Sequence, residues 1–254
     1  MELRKLSKDK KHIHMDKISN EIICGLDSKV YENILTHASN KDNQVRKLVS
    51  TVLAGAHRDN SLKESLSKLF EEMGKSEDEK VRKTLILAAG EIGKRNAEDI
   101  FSILESGMND RNEMVQKTAI SVLKVMCEIN PVPSLEFVSR LIEHENPAIR
   151  KGIVHGLELR GKKCPEDILP ILRSVQNEKH KSVVNVIIHV VGRISYKKGS
   201  IEKVVEELKT WTNKWLVKKS AQEIISFHKK HTKFANRTPE EITDYLCENG
   251  VYEK

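Results

Sequence analysis

Aromatic residues are scarce in this sequence, and long apolar runs are absent. Phe, Trp and Tyr together make up 4% of the 254 residues, a low share for a soluble domain. A closed globular core of this size usually contains more aromatic side chains, whereas a thin aliphatic core shared between stacked helices does not need them. No apolar run approaches the roughly 20 residues that a membrane-spanning helix requires. The sequence therefore predicts no membrane association and favours a thin aliphatic core.

Cysteine is also scarce, and its spacing matches neither a zinc site nor a disulfide framework. The chain has no Cys-x-x-Cys pair and no histidine at metal-ligand spacing beside a cysteine. We interpret the cysteines as small apolar residues in a reducing compartment. The basic start of the chain is followed by no apolar segment, so no secretory signal is predicted and a cytoplasmic location is expected. The cysteines are Cys24, Cys127, Cys164 and Cys247.

Familiar catalytic motifs are missing as well. The sequence contains no phosphate-binding loop, dinucleotide fingerprint, nucleophile elbow or zinc-protease motif. Gly90 and Gly93 lie within and near the end of a predicted helix, so we interpret them as packing or capping residues. The sequence therefore predicts no catalytic residue, no metal ligand and no cofactor.

What the sequence does contain is a repeated short motif. Stretches such as "SEDEKVRKTLI" and "DRNEMVQKTAI" align on one aliphatic residue, and apolar residues tend to follow it at +4, +7 and +8. This spacing marks one side of a helix. Six copies follow at steps of 36, 34, 34, 34 and 34 residues, which indicates a stacked-repeat protein. The six anchors are Val45, Val81, Val115, Ile149, Val183 and Val217.

The residue three positions before each anchor predicts where its helix begins. Aspartate or asparagine stands there in the first four copies, and such side chains accept hydrogen bonds from the free N–H groups of a first helical turn. The last two copies have histidine and lysine instead, so the capping pattern is expected to weaken toward the C-terminus. These residues are Asp42, Asp78, Asn112, Asn146, His180 and Lys214.

A shorter amphipathic segment separates neighbouring anchor helices, so each repeat is predicted to be a pair of helices. "ISNEIICGL" and "TPEEITDYLCENG" are predicted to add a helix at each end, and the second segment starts with a capping box of Thr238 and Glu241. No useful stretch alternates with the period of a strand. The predicted fold class is all-α, an α-solenoid of about six helix pairs with extra capping helices at both ends.

The predicted organisation is a basic flexible arm followed by a single repeat array. The arm covers residues 1–12 and the array covers 13–254. An unstructured solubilising tail explains the arm equally well. The predicted repeats are about 28–60, 61–96, 97–130, 131–163, 164–198 and 199–232, and the C-terminal capping helix is about 238–249.

These repeats resemble HEAT repeats over most of residues 28–231. Asp78, Val81 and Arg82 match that family's turn aspartate, buried valine and following arginine. The second copy is similar to the short variant named after phycobilisome lyases, and a weaker similarity extends to AlkD-like DNA alkylation repair proteins. The tetratricopeptide repeat shares the period, but its Trp, Leu-Gly and Tyr pattern is absent. The resemblance implies that the second helices line a concave side, and that arginines after the anchors bond turns of neighbouring repeats.

Basic side chains are concentrated on the predicted outward side of the second helices. At 100° per residue, position +2 from an anchor lies opposite the apolar side, with +6, +9 and +13 beside it. The acidic residues there are Glu128, Glu158 and Glu223, whereas the leading helices are rich in acids. The predicted partner-binding residues are Lys47, Arg58, Lys83, Lys94, Lys117, Lys124, Lys151, Lys162, Lys219 and Lys230.

The basic side and the net charge of +7 predict an acidic partner. The predicted function is a non-catalytic HEAT-repeat scaffold that binds an acidic macromolecule, either an acidic protein or duplex DNA or RNA. The alternative is a HEAT-like protein dedicated to nucleic-acid phosphates, including an AlkD-like DNA glycosylase. A solvated surface without any partner also explains the lysines, because lysine keeps helix surfaces soluble.

Two HEAT-like enzyme families show what a catalytic role requires. Deoxyhypusine hydroxylase binds two irons through several His-Glu dipeptides, but this chain has only His144-Glu145. AlkD-like glycosylases use tryptophans and an acidic residue. Here Trp211 and Trp215 have no aspartate beside them on the predicted basic side, and they are expected to pack at the joint between the last repeat and the C-terminal tail.

One histidine pair stands out. His155 and His189 occupy equivalent positions in adjacent repeats and are predicted to be neighbours. They would titrate together near neutral pH. A metal or switch site and a coincidence on an exposed surface both fit this pattern.

Overall fold

The structure is a computed structural model that describes residues 18–22, 25–196, 199–233, 235 and 237–253. Over these ranges every regular element is helical and no strand is present. The predicted arm at 1–12 lies outside the described residues. Residues 18–22 are helical, within the segment predicted as the first capping helix. The α-helices are α1 (Ser28–Ala38), α2 (Asn43–Ala56), α3 (Lys63–Lys75), α4 (Glu79–Gly93), α5 (Phe101–Met108), α6 (Glu113–Ile129), α7 (Pro131–Leu141), α8 (Pro147–Gly156), α9 (Glu158–Lys163), α10 (Pro165–Ser174), α11 (Lys181–Ile194), α12 (Ser200–Thr210), α13 (Lys214–Lys230) and α14 (Pro239–Glu248), with 3₁₀ turns at Asn60–Leu62 and Glu98–Ile100.

The helices follow one another in pairs, and the predicted all-α architecture of repeated helix pairs is confirmed. The contacts divide the chain into two compact units between Val122 and Leu123. In the first unit α2 packs on α4, and in the second α11 packs on both α8 and α13. Second helices of successive repeats are therefore neighbours within each unit. The single array over 13–254 stays a prediction.

The aliphatic anchors lie in the core that the helix pairs enclose. All six are buried, with exposed fractions of 6% or less. The apolar positions that follow them, such as Leu85, Ala119 and Ile187, are buried too. Each buried aliphatic side chain contributes about 1.5–3 kcal/mol relative to an exposed one. The helical period in the sequence therefore identified the buried side of each second helix.

The predicted N-caps form in the first four copies. Each Asp or Asn side chain accepts a hydrogen bond from the backbone N–H two residues later, a contact worth about 1 kcal/mol. His180 makes no side-chain cap bond, as expected. In the last repeat Asn213, one residue before Lys214, caps α13 by accepting from the Leu216 N–H at 3.0 Å. The bonds run from Gln44 N to Asp42 (2.9 Å), Lys80 N to Asp78 (2.8 Å), Met114 N to Asn112 (2.8 Å) and Ala148 N to Asn146 (2.9 Å).

The C-terminal segment follows the prediction closely. Thr238 accepts from the Glu241 N–H at 3.2 Å, and the Glu241 carboxylate accepts from the Thr238 N–H at 2.8 Å, so the capping box forms at the start of α14. Trp211 is fully buried, but Trp215 is 57% exposed. Only the first tryptophan therefore packs inside. Trp215 lies two residues before its anchor Val217, which places it on the outward side of the first turn of α13.

Candidate anion-binding site around Glu158

A buried carboxylate lies on the outward side of the second helices in the second unit. Glu158 begins α9 and is only 4% exposed, which is rare for a glutamate without partners. Its Oε1 accepts hydrogen bonds from Lys162 Nζ at 2.6 Å and from Arg193 Nε at 2.9 Å. Its Oε2 accepts from Lys124 Nζ at 2.8 Å. Three helices, α6, α9 and α11, thus each direct a cation at one carboxylate.

His155 completes this group, which we call the Glu158 cluster (Lys124, His155, Glu158, Lys162 and Arg193). The His155 Nε2 atom lies 3.5 Å from the Glu158 Oε2 atom. The cationic side chains remain partly accessible, at 20% for Lys124, 16% for Lys162 and 34% for Arg193. The carboxylate is therefore covered by cations that still reach solvent.

The pKa of the Glu158 carboxyl is set by two opposing effects. Burial raises its pKa, but the hydrogen bonds from His155, Lys124 and Lys162 outweigh burial and hold the pKa well below the ordinary value. Glu158 is therefore ionised at neutral pH. Three cations around one anion leave a surplus of two positive charges. Among the described residues no second carboxylate forms an ion pair with Lys124, Lys162 or Arg193, and the nearby Glu223 pairs with His189 instead, at 3.8 Å.

The predicted neighbouring of His155 and His189 is confirmed. Their ring centroids are 6.0 Å apart in an edge-on arrangement. Burial, followed by the nearby Arg193 and His155, lowers the pKa of His189 more than Glu158 and Glu223 raise it. The lowered pKa keeps His189 mostly neutral at pH 7, so it adds little positive charge beside the cluster.

The same histidines and Glu158 have donor atoms within 4.8 Å of one another, a spacing that a metal ion could bridge. Both oxygens of Glu158, however, already accept hydrogen bonds from ammonium or guanidinium groups. A divalent cation would have to displace these groups and stand beside their positive charge. The electrostatics of the cluster thus favour an anion over a metal.

Aromatic rings support the Arg193 side of the cluster. The guanidinium carbon of Arg193 lies 5.4 Å from the centre of the Phe227 ring. Tyr196 and His231 flank that ring, with centroid distances of 5.5 and 4.3 Å. This contact orients the arginine without neutralising it. Arg193 lies at position +10 from its anchor, outside the four columns that the sequence singled out, so periodicity alone missed it.

The ten basic residues predicted to bind a partner divide into two groups. Lys94 pairs with Glu91 at 2.7 Å and Lys117 with Glu113 at 2.8 Å, while Lys124 and Lys162 pair with Glu158. Among the residues that the structure describes, no carboxylate pairs with any of the other six. Those six, the unpaired cations, are Lys47, Arg58, Lys83, Lys151, Lys219 and Lys230.

The chain matches no protein-family model, and no curated protein matches it significantly. Similar solved structures include smu.31 from Streptococcus mutans, 17% identical, and AlkD2 from Streptococcus mutans, 16% identical, both with a TM-score of 0.48 and covering 89% of this chain and 100% of that chain. A designed armadillo repeat protein, 16% identical with a TM-score of 0.35, covers 77% of this chain and 98% of its own. Likeness at this level carries no conclusion about function.

In the described part of the chain, no helix combines the length and apolar character needed to cross a membrane.

Proposed function

We propose that this chain is a non-catalytic helical-repeat protein that binds an acidic macromolecule through the outward side of its second helices. The Glu158 cluster carries this proposal. Its three cations are fixed in position by one carboxylate and leave a surplus of two positive charges at a partly buried place. An external anion would neutralise that surplus with little loss of side-chain freedom, because the amines are already ordered.

The geometry of the amines supports this role. An ammonium group has three N–H donors, and the Nζ atoms of Lys124 and Lys162 each donate to Glu158. The remaining donors of each group are available to a carboxylate or phosphate. Lys151 and Lys219, both exposed and unpaired, extend the positive surface along α8 and α13.

A direct test is titration of the protein with labelled polyanions at two salt concentrations. The probes are polyglutamate and a DNA duplex of about 25 base pairs, at about 50 and about 200 mM salt. We expect binding to at least one probe at low salt. For the duplex, affinity should fall by about 10³-fold or more at high salt if many phosphates are contacted.

The matched variants separate the proposed surface from net charge. Lys151→Glu with Lys219→Glu reverses two exposed residues of second helices. Arg140→Glu with Lys63→Glu makes the same charge change on first helices, at residues that are also exposed. We expect the first pair to abolish binding and the second to leave most of it. Equal losses in both variants, or no polyanion binding by the natural sequence at low salt, would refute the proposal.

A further inference from the structure

A row of exposed apolar side chains borders the Glu158 cluster. Val125 and Ile129 lie one turn apart on α6, and Val132 follows at the start of α7. They are 36%, 47% and 68% exposed. Single exposed apolar residues are ordinary on protein surfaces. Here two of them lie on successive turns of α6 and the third follows three residues after Ile129 in the chain, and such a group of exposed apolar side chains more often marks a contact surface. We call these three residues the apolar strip.

Helix α6 joins the apolar strip directly to the cations. Lys124, which donates to Glu158, precedes Val125 in the chain. Glu128, which precedes Ile129, pairs with Lys163 of α9. Because consecutive residues of a helix point about 100° apart, the charged residues Lys124 and Glu128 lie on the side of α6 next to that of Val125 and Ile129. One side of α6 is therefore apolar, and the next carries Lys124 of the Glu158 cluster together with the Glu128–Lys163 pair.

We propose that this composite surface docks an acidic amphipathic helix of another protein. The inference rests on the proposed function and narrows the partner from any acidic macromolecule to a protein. Aliphatic side chains on one side of the partner helix cover the apolar strip. Carboxylates on its flank accept hydrogen bonds from Lys124, Lys162 and Arg193. This is recognition of an amphipathic helix by a surface with matching apolar and charged sides.

The apolar strip is what favours a protein over a nucleic acid. A duplex presents phosphates and sugars on its outside, so it offers little aliphatic surface to cover the three β-branched side chains of the strip. An amphipathic helix supplies both kinds of group at a spacing of one turn, the same spacing as Val125 and Ile129. Charge complementarity at the cluster would set the orientation of such a helix, and the apolar contact would slow its release.

The experiment uses a labelled amphipathic peptide of about 20 residues, with leucine on one side and glutamate on the other. A scrambled peptide of the same composition, polyglutamate and the DNA duplex are titrated in parallel. We expect the amphipathic peptide to bind about tenfold or more tightly than its scrambled form. Replacement of the strip, Val125→Ser with Ile129→Ser and Val132→Ser, should remove that advantage and leave polyglutamate binding unchanged.

The chain offers a matched control for the serine variant. Met114 is 51% exposed but lies at the opposite end of α6 from Val125 and Ile129, so Met114→Ser should bind the amphipathic peptide as the natural sequence does. Circular dichroism of both variants checks that they remain helical.

Each other outcome has a distinct meaning. Equal affinity for the amphipathic and scrambled peptides, or unchanged affinity in the strip variant, overturns the docking of an amphipathic helix. Tighter binding of the duplex than of the peptide overturns it in favour of nucleic acid. In all these cases salt-sensitive polyanion binding leaves the proposed function standing. Absence of binding to every polyanion at low salt refutes the proposed function itself.

Discussion

Arg82 donates two hydrogen bonds to Asp110, from Nε to Oδ2 at 2.7 Å and from an Nη to Oδ1 at 2.9 Å. Both side chains are almost fully buried, at 8% and 9% exposure. Arg82 also donates to the backbone carbonyl of Ser76 at 2.7 Å. One guanidinium therefore holds the turn before its own helix and the corresponding turn of the next repeat.

The second unit repeats this arrangement. Arg150 donates to Glu178 at 2.7 and 3.1 Å, and to the carbonyl of His144 at 2.6 Å. In both cases the carboxylate lies 28 residues after the arginine. The arginines that follow two of the anchors thus bond turns of neighbouring repeats, as the HEAT-like resemblance implied.

Replacing Arg82 with alanine should therefore destabilise the chain strongly. The change leaves Asp110 buried without its cation, and removal of one partner of a buried pair costs about 3–5 kcal/mol. Chemical denaturation of the natural and variant proteins measures this difference. Arg111→Ala is the control, because Arg111 pairs with Glu77 where both side chains are largely exposed, and such pairs contribute about 0–1 kcal/mol. Similar losses in the two variants would contradict a turn-bonding role.

The sequence predicted the helices and their buried sides because both depend on local chemistry. A period of 3.6 residues selects one side of a helix, and a capping side chain acts within its own first turn, so Val81 and Asp78 could be assigned from their surroundings in the chain. The pairing of Lys124 and Lys162 with Glu158 could not be assigned this way. It depends on how α6, α9 and α11 approach one another, and no spacing along the chain fixes that approach.

Arg193 and Glu158 both show what the sequence pattern could not predict. The helical period placed Glu158 on the outward side of the second helices, as one of three acidic residues among ten basic ones. The helical period alone did not show that Lys124, Lys162 and Arg193 would cover the Glu158 carboxylate. Arg193 lies between the outward columns, and its long side chain places the guanidinium near the Phe227 ring and within hydrogen-bond distance of the Glu158 carboxylate. Side-chain reach of this kind is a property of packing.

Val115→Asp should unfold much of the first unit. Val115 is 1% exposed, so the variant places an unpaired carboxylate in an aliphatic core, with a cost of about 4 kcal/mol or more. The adjacent Met114 is 51% exposed on the same helix, and Met114→Asp should change stability by less than about 0.5 kcal/mol. Thermal unfolding followed by circular dichroism compares the two. A natural melting temperature in Val115→Asp would show that the anchors are misassigned.

Glu158→Gln should destabilise the protein in a pH-dependent way. At pH 7 the variant leaves three cations around a neutral amide, with an expected loss of about 2–4 kcal/mol. The folded-state pKa of Glu158 is lowered by its hydrogen bonds, against the effect of burial. Its stabilising effect is therefore complete above the unfolded-state pKa of about 4.3 and is lost as the pH falls below that value.

Urea unfolding of both proteins at several pH values between neutral and about 3 measures this change. The difference in unfolding free energy should be constant above about pH 5 and should shrink on further acidification. Glu206→Gln, which removes one partner of an exposed pair with Lys209, should show little difference at any pH. A Glu158→Gln difference as large near pH 3 as at pH 7 would mean that the pKa of Glu158 is not lowered.

Two glycines should respond in opposite directions to alanine. A Cβ atom at Gly156 would lie 2.5 Å from Leu123 Cδ2 and 2.7 Å from its Cγ, whereas at Gly55 no heavy atom lies within 4 Å. Gly156→Ala therefore forces a buried leucine to move and should cost about 1–3 kcal/mol. Gly55→Ala only restricts the unfolded chain and favours the helix, with an expected gain of about 0.5–1 kcal/mol. Denaturation midpoints of the two variants measure this difference. If both variants are more stable than the natural protein, Gly156 does not pack against Leu123 as closely as the structure shows.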